Sequence, residues 1–383
     1  MTLPSPNPGP TPPHRWQRPL QLLRAEWRHL TTVQPSARRW PLPFAAALAS
    51  ALPVLAGALA GELAWGLIAS MGGLVFLYLP ATPLAHRMVT LMACAFGLCA
   101  CYALGVLAHL VPAALVGVMT FIAICVTMVC RAYALGPPGN LFFVMVAAIG
   151  AGTPGVAAQV PMKIGLLVLG CVSACGVALV YSLLTLRHQP PQPVPPLRAP
   201  SFDAVVLDAV VIGISVGLAL ALGQALGLDN TYWVAVSTLA VTQGLSLRAV
   251  WTRQVHRVLG TALGLVVATL MFQLPLDAWG VCALIFGLTV VVETLVVRHY
   301  GLAAVFITPL TLLLAEAATL GQRPVGPLMQ ARLLDTVLGS LVGLLGGVCL
   351  HHPRVRAVLG AGLRALLPAR LLAWSQLGST EAA

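Results

Sequence analysis

Charge is what this chain has least of. Aspartate, glutamate, lysine and arginine together make up 8% of its 383 residues, against roughly a quarter of a soluble domain, and that scarcity excludes an extensive water-facing surface. The single lysine, Lys163, belongs to no GxxxxGK[ST] loop, so the chain carries no nucleotide-driven motor of that kind. GxSxG, HExxH and HxE…CxxC arrangements are missing as well, which leaves no visible constellation for enzyme chemistry. The nine cysteines lie within apolar runs and show no CxxC spacing. Cys171 and Cys175 share a helix face, which admits a soft-metal site, but nothing metal-like surrounds them, so packing is the preferred reading and neither a metal nor a cofactor is expected. The first forty residues hold no apolar run ending in a small-residue cleavage site, so no secretory signal peptide is expected.

What is present is hydrophobic: 59% of the residues, with a mean hydropathy of +0.92. A spanning helix needs about 20 apolar residues. Breaking the apolar runs at charges, prolines and glycine clusters predicts spans near 42–60, 63–79, 88–110, 113–130, 139–155 and 163–186, then 205–226, 231–247, 257–274, 278–297, 301–319 and 333–350. The expected fold is therefore an all-α polytopic membrane protein with about 12 transmembrane helices in two parallel six-helix repeats. Residues 1–40 form a basic, proline-rich cytoplasmic N-terminus, 41–186 the first repeat, 187–200 a linker with six prolines, 201–350 the second repeat and 351–383 a cytoplasmic tail. Trp16, Leu20, Leu23, Trp27 and Leu30 recur at helical spacing among arginines, the pattern of a helix lying on an anionic membrane surface. The arginine-and-leucine stretch from Pro353 to Trp374 reads the same way.

The net charge of +11 does not point to nucleic acid, because the basic residues are scattered between apolar runs. They read as topology signals. With the N-terminus in the cytoplasm, 18 of the 21 lysines and arginines fall on the inner side, leaving Lys163, Arg323 and Arg332 outside. An eleven-span arrangement would spoil that asymmetry. The expected location is the cell inner (plasma) membrane, with both termini cytoplasmic and the lipid bilayer as the main partner.

The two halves repeat. Arg131-Ala-Tyr133-Ala-Leu135 stands against Arg298-His-Tyr300-Gly-Leu302 at an offset of 167 residues, Trp65 against Trp233 at 168, and Lys163 with Gly170 against Arg332 with Gly339 at 169. Repeats of six spans are parallel, which places a pseudo-twofold axis along the membrane normal and a pathway at that axis.

The most specific stretch runs Tyr232-Trp233, Gln243, Arg253, Arg257, Gly260-Thr261-Ala-Leu-Gly264, Arg298-His-Tyr300 and Arg332-Leu-Leu-Asp335-Thr336-Val-Leu-Gly339. In order and interval it resembles the fusaric-acid-resistance (FUSC) family over Asp203 to Leu350, and the first half resembles it only as a degenerate repeat. The resemblance implies an integral membrane exporter of aromatic or other amphipathic carboxylates, with related proteins acting as malate-conducting anion channels. Gly244 follows Gln243 where that family leads one to expect proline, and the large cytoplasmic domains that often follow each half are replaced by a linker and a short tail. Export of a small organic anion is thus the expected function. A passive anion channel and a non-transporting membrane scaffold stand as alternatives, and a homo-oligomer is left open.

Arg253, Arg257, Gly260 and Gly264 follow at steps of four, three and four and share a helix face. With Arg131 and Arg298 the two arginines are candidates for attracting a substrate anion. The alternative makes them inner-leaflet anchors. Tyr232 and Trp233 are candidates for stacking on an aromatic substrate, against an ordinary place in the interfacial belt. Asp208, Glu293, Glu316 and Asp335 fall in or just inside second-half spans, while the first-half spans hold no acid. Glu293 lacks a same-helix cation at i+3 or i+4 and is a proton-coupling candidate or a structural partner for another helix. Asp335 is the other proton-coupling candidate, or forms a local pair with Arg332 at the outer interface.

Overall fold

A computed structural model of the chain describes residues 30–36, 38, 40–153, 155–196, 201–316 and 325–366, and their regular secondary structure is helical throughout. In chain order the helices are α1 (Pro41–Leu59), α2 (Leu63–Tyr78), α3 (Leu84–His109), α4 (Pro112–Ala132), α5 (Leu141–Gly152), α6 (Ala157–Leu186), α7 (Asp203–Ala225), α8 (Tyr232–Thr242), α9 (Leu247–Met271), α10 (Ala278–Leu295), α11 (Tyr300–Glu316), α12 (Val325–His351) and α13 (Pro353–Leu366). Eight of them, α1, α3, α4, α6, α7, α9, α10 and α12, are long and apolar enough to cross a membrane. The expectation was twelve; α2, α5, α8 and α11 are apolar but shorter. The 11 residues of α8 rise about 16 Å, roughly half of a bilayer's hydrocarbon core. The surface helix expected over Trp16–Leu30, apart from Leu30 itself, and Arg323 lie outside the described residues.

Side-chain caps mark two of the helix starts. Ser246 caps α9 by accepting from the Ala249 N–H at 3.2 Å, and Asp277 caps α10 by accepting from the Gly280 N–H at 2.7 Å. The starts of α9 and α12 differ most from the expected ones. Breaking spans at charges puts the beginnings at 257 and 333, whereas α9 begins at Leu247 and α12 at Val325. Arg257 and Arg332 therefore lie well inside their helices, tolerated there because neighbouring helices enclose them.

In the first half α3 packs on α5 and α6, α2 on α1 and α6, and α1 on α6; in the second, α9 packs on α11 and α12, α8 on α7 and α12, and α7 on α12. Across the halves, α1 packs on α10, α4 on α7 and α5 on α8. Glycines set the closest approaches. A Cβ on Gly105 would strike the Ala147 carbonyl, one on Gly170 the Ala69 carbonyl and one on Gly339 the Val234 carbonyl, so no other residue fits these crossings without backbone movement. Outward faces are apolar: Val89, Met92 and Phe96 on α3, and Leu259, Leu263, Val266 and Leu270 on α9, form exposed stripes suited to lipid.

Arginines gather at one end of the bundle. Asp208 receives Arg356 at 2.6 Å and Arg131 at 3.5 Å, and Arg364 pairs with Asp203. These contacts pin α13 to the start of α7.

Candidate functional site

Helix α8 is buried on every side from Trp233 to Thr242. Such a helix has no lipid-facing surface, so its polar residues must be satisfied by protein or by something that enters. Thr238 donates to the carbonyl of Gly339 on α12 at 2.8 Å, and Gln243 at the far end donates to Asn140 Oδ1 before α5 at 2.6 Å. Asn140 in turn donates to Thr127 on α4 at 2.5 Å. The short helix is thus fixed to both halves.

Around α8 lies a cluster of buried charge. The Arg332 guanidinium sits 3.3 Å from the Trp233 ring centroid, and its Nη2 donates to Thr311 Oγ1 of α11 at 3.2 Å. Its Nε and Nη1 have no hydrogen-bond acceptor among the described residues, although the residue is only 1% exposed. Arg257, also buried, donates from Nη2 to Ser237 of α8 at 3.3 Å and leaves Nε unpaired. The Arg332 guanidinium lies within electrostatic range of Arg257, of Tyr232 and of Asp335. Asp335 is fully buried, and neither carboxylate oxygen has a hydrogen-bond partner among the described residues. Of ten such unpaired buried side-chain atoms, eight belong to Gln254, Arg257, Thr261, Arg332, Asp335 and Ser340 on the facing helices α9 and α12. An orphaned polar atom costs about 1–3 kcal/mol and an unpaired charge more. Two cations facing one carboxylate, with donors to spare, make a cluster that an anion would complete.

The first half does not reproduce it. Lys163 stands where Arg332 stands in the repeat register and is buried, but Trp65, the counterpart of Trp233, is 42% exposed where Trp233 is 2%. Leu166 replaces Asp335.

The other expected site residues separate into groups. Arg253 and Arg298 line a cavity of about 370 Å³ at the arginine-rich end, with Arg248, His256, His299 and Tyr300. Arg253 lies 5.2 Å from the Tyr300 ring centroid. Arg131 is elsewhere, held by Asp208. Glu293 finds its partner in the segment preceding α1 and not on another helix: Arg38 binds it at 2.8 Å. Tyr232 lines a second cavity of about 210 Å³ with His109, Asp229 and Thr231, between α3, α4 and α5 of the first half and α7 of the second. Its ring tilts against Trp233 at a centroid distance of 5.0 Å. Trp233 itself is a buried platform, not a belt residue, and Arg332 and Asp335 are sealed inside the bundle rather than paired at its edge.

In the sequence Arg332 reads as an external charge, a local partner of Asp335 and not a site residue. Two signals mark it: the register with Lys163, which puts a cation at the same place in both halves, and its place in the Arg332-to-Gly339 stretch. Thr311, Ser237 and Ser340 carried no signal, because small hydroxyl residues in apolar helices are common.

Residues 218–346, which contain the whole cluster, match the family model described as fusaric acid resistance protein-like. The uncharacterized membrane protein YvaC of Bacillus subtilis is 33% identical over 147 residues, covering 38% of this chain and 23% of that protein. The uncharacterized protein YhfK of Escherichia coli is 31% identical over 143 residues, covering 36% and 19% respectively. The similar region thus spans less than a quarter of either relative's length. No solved structure matches this chain. The molecule is a multi-pass membrane protein whose second half is similar to the fusaric acid resistance protein-like family.

Proposed function

We propose that this chain exports an organic anion, an aromatic or other amphipathic carboxylate, and that the substrate binds between Arg257 and Arg332 beside Trp233. The observation that carries the reading is the unpaired buried charge: two guanidiniums with vacant donors stand in a membrane-embedded core against one carboxylate. A carboxylate accepts from such forks with charge-assisted hydrogen bonds, and the neighbouring indole gives an aromatic body an apolar contact. The cavities lined by Arg253 and by Tyr232 lie toward opposite ends of α9 and α8 and supply the two mouths of the path.

The architecture belongs to the same proposal. Twelve helical segments read as two six-helix repeats, with short helices second and fifth in each half, and the packing of α1 on α10 and of α4 on α7 supports a pseudo-twofold axis. Shortened helices at matching places of two repeats are where transporters of this kind build their sites. The arginine-rich end is the cytoplasmic one, with both termini on that side of the inner membrane.

Flux into vesicles tests the reading. Purified protein should move an aromatic carboxylate and respond to a pH gradient. Flux that follows only the membrane potential indicates a channel, and absence of flux for every acid tried overturns the transport proposal.

A further inference from the structure

The thiols of the first half serve neither the buried charge cluster nor the two cavities. Seven of the nine cysteines lie between Cys94 and Cys175, on α3, α4 and α6, and all are free. One pair stands apart. The sulfurs of Cys99 on α3 and Cys171 on α6 are 3.8 Å from each other, one thiol donating to the other, and no other two cysteines are joined in this way among the described residues. The sequence places Cys175 one turn from Cys171 on the same helix face, but the fold gives Cys171 its sulfur partner on another helix.

The backbone that carries Cys171 is fixed. Gly72 of α2 packs so closely on α6 that a Cβ there would strike the Cys171 amide nitrogen, and Gly170 meets the Ala69 carbonyl just as closely. Cys99 sits at the edge of the buried face of α3: Leu98 and Tyr102 are fully buried, whereas Phe96, three residues before it, is 78% exposed. On α6, Leu169 and Val172 are exposed as well. Cys171 is buried and Cys99 half-buried, so the way in to the pair is through Cys99, past lipid-facing apolar side chains.

Depth decides what reaches it. Cys99 is ten residues short of His109 at the end of α3, and Cys171 is 14 residues past Ala157 at the start of α6, so at about 1.5 Å per residue both lie deep within spanning helices. Glutathione, which keeps thiols reduced in the cytosol, is charged and is excluded from that depth. A neutral, lipid-soluble molecule is not.

We infer that Cys99 and Cys171 form a redox-active pair that closes to a disulfide when a neutral, lipid-soluble quinone takes its two electrons. The two S–H bonds break, one S–S bond forms, and the two electrons and two protons reduce the quinone to its quinol. A disulfide holds its sulfurs about 2.05 Å apart, so each moves by about 0.9 Å, through rotation about its Cα–Cβ bond. The new bond ties α3 to α6. The inference does not depend on what the chain transports.

The test uses the full chain in nanodiscs, kept free of oxygen, with duroquinone as the oxidant, a quinone whose ring is fully substituted and so does not alkylate thiols. Treated protein should lose two of its nine reactive thiols when titrated under denaturing conditions and regain them with dithiothreitol. Non-reducing peptide mapping of the wild type, which relies on no variant, should show the Cys99 peptide linked to the Cys171 peptide. Cys99→Ser, Cys99→Ala and Cys171→Ser should each keep every remaining thiol, and Cys175→Ser should still lose two. Oxidised glutathione should leave the pair reduced. No loss of thiols with duroquinone, a link between any other two cysteines, or equal loss with oxidised glutathione overturns the inference.

Discussion

Arg332 on α12 lies over the ring of Trp233 on α8, its guanidinium carbon 3.3 Å from the ring centroid, and two of its three nitrogens have no hydrogen-bond partner among the described residues. A stacked cation gains about 2 kcal/mol or more when desolvated, less than an isolated buried charge costs. The contact therefore orients the guanidinium without satisfying it. Replacing it together with Asp335 by apolar side chains of similar size should relieve the cost without stranding either charge: the double variant Arg332→Met with Asp335→Leu should leave the unfolding midpoint in detergent unchanged or raise the stability by about 1–4 kcal/mol. A loss of several kcal/mol would mean that the cluster is satisfied as it stands.

Asp335 and Glu293 are the two acids in position to carry a proton, and their surroundings divide them. Glu293 is tied to Arg38, while neither oxygen of Asp335 has a hydrogen-bond partner among the described residues. Asp335→Asn should abolish the dependence of flux on a pH gradient, and Glu293→Gln should preserve it. The opposite pattern would return the proton role to Glu293.

The Arg38 and Glu293 pair fastens the segment before α1 to α10, and breaking it should cost stability instead of coupling. Arg38→Gln alone should destabilise by about 1–3 kcal/mol, because it strands a buried carboxylate, and the swapped pair Arg38→Glu with Glu293→Arg should recover part of that in a thermal-unfolding series. No recovery would show that the contact contributes nothing.

Close helix crossings should be intolerant of a single methyl group. Gly105→Ala and Gly170→Ala place a Cβ against a backbone carbonyl of the neighbouring helix, whereas Gly165→Ala and Gly176→Ala meet open space. The first two should lower stability by about 1–3 kcal/mol or more, read as folded yield after extraction, and the last two should not.

Much of this was legible in the chain. The twelve apolar segments follow from hydropathy, and the shared face of Arg257, Gly260 and Gly264 follows from helix geometry: Gly260 and Gly264 do pack against Gly301, Ala304 and Val305 of α11. The starts of α9 and α12 were misplaced because a charge was taken to end a span, and only the neighbours of Arg257 and Arg332 make those charges tolerable inside one. The stacking of Arg332 on Trp233, and the reach of Arg38 to Glu293, join residues far apart in sequence, and no local pattern records them.

Reporter fusions after residue 200 and after Ala383 should both read cytoplasmic, and one within Ala157–Val160 external, because 18 of the 21 basic residues fall on one side under that topology. A periplasmic reading at residue 200 would dissolve the six-helix repeat.

The central claim is that Arg257 and Arg332 hold the substrate's carboxylate. The direct measurement is the concentration dependence of flux in vesicles for an aromatic carboxylate and for its neutral amide, with wild type, Arg257→Gln, Arg332→Gln and the two lysine variants. The apparent Km for the acid should rise at least tenfold in each glutamine variant and partially in each lysine variant, with the amide little affected. If Arg257→Gln and Arg332→Gln both insert normally and carry the acid with an unchanged Km, the buried pair is not the substrate site.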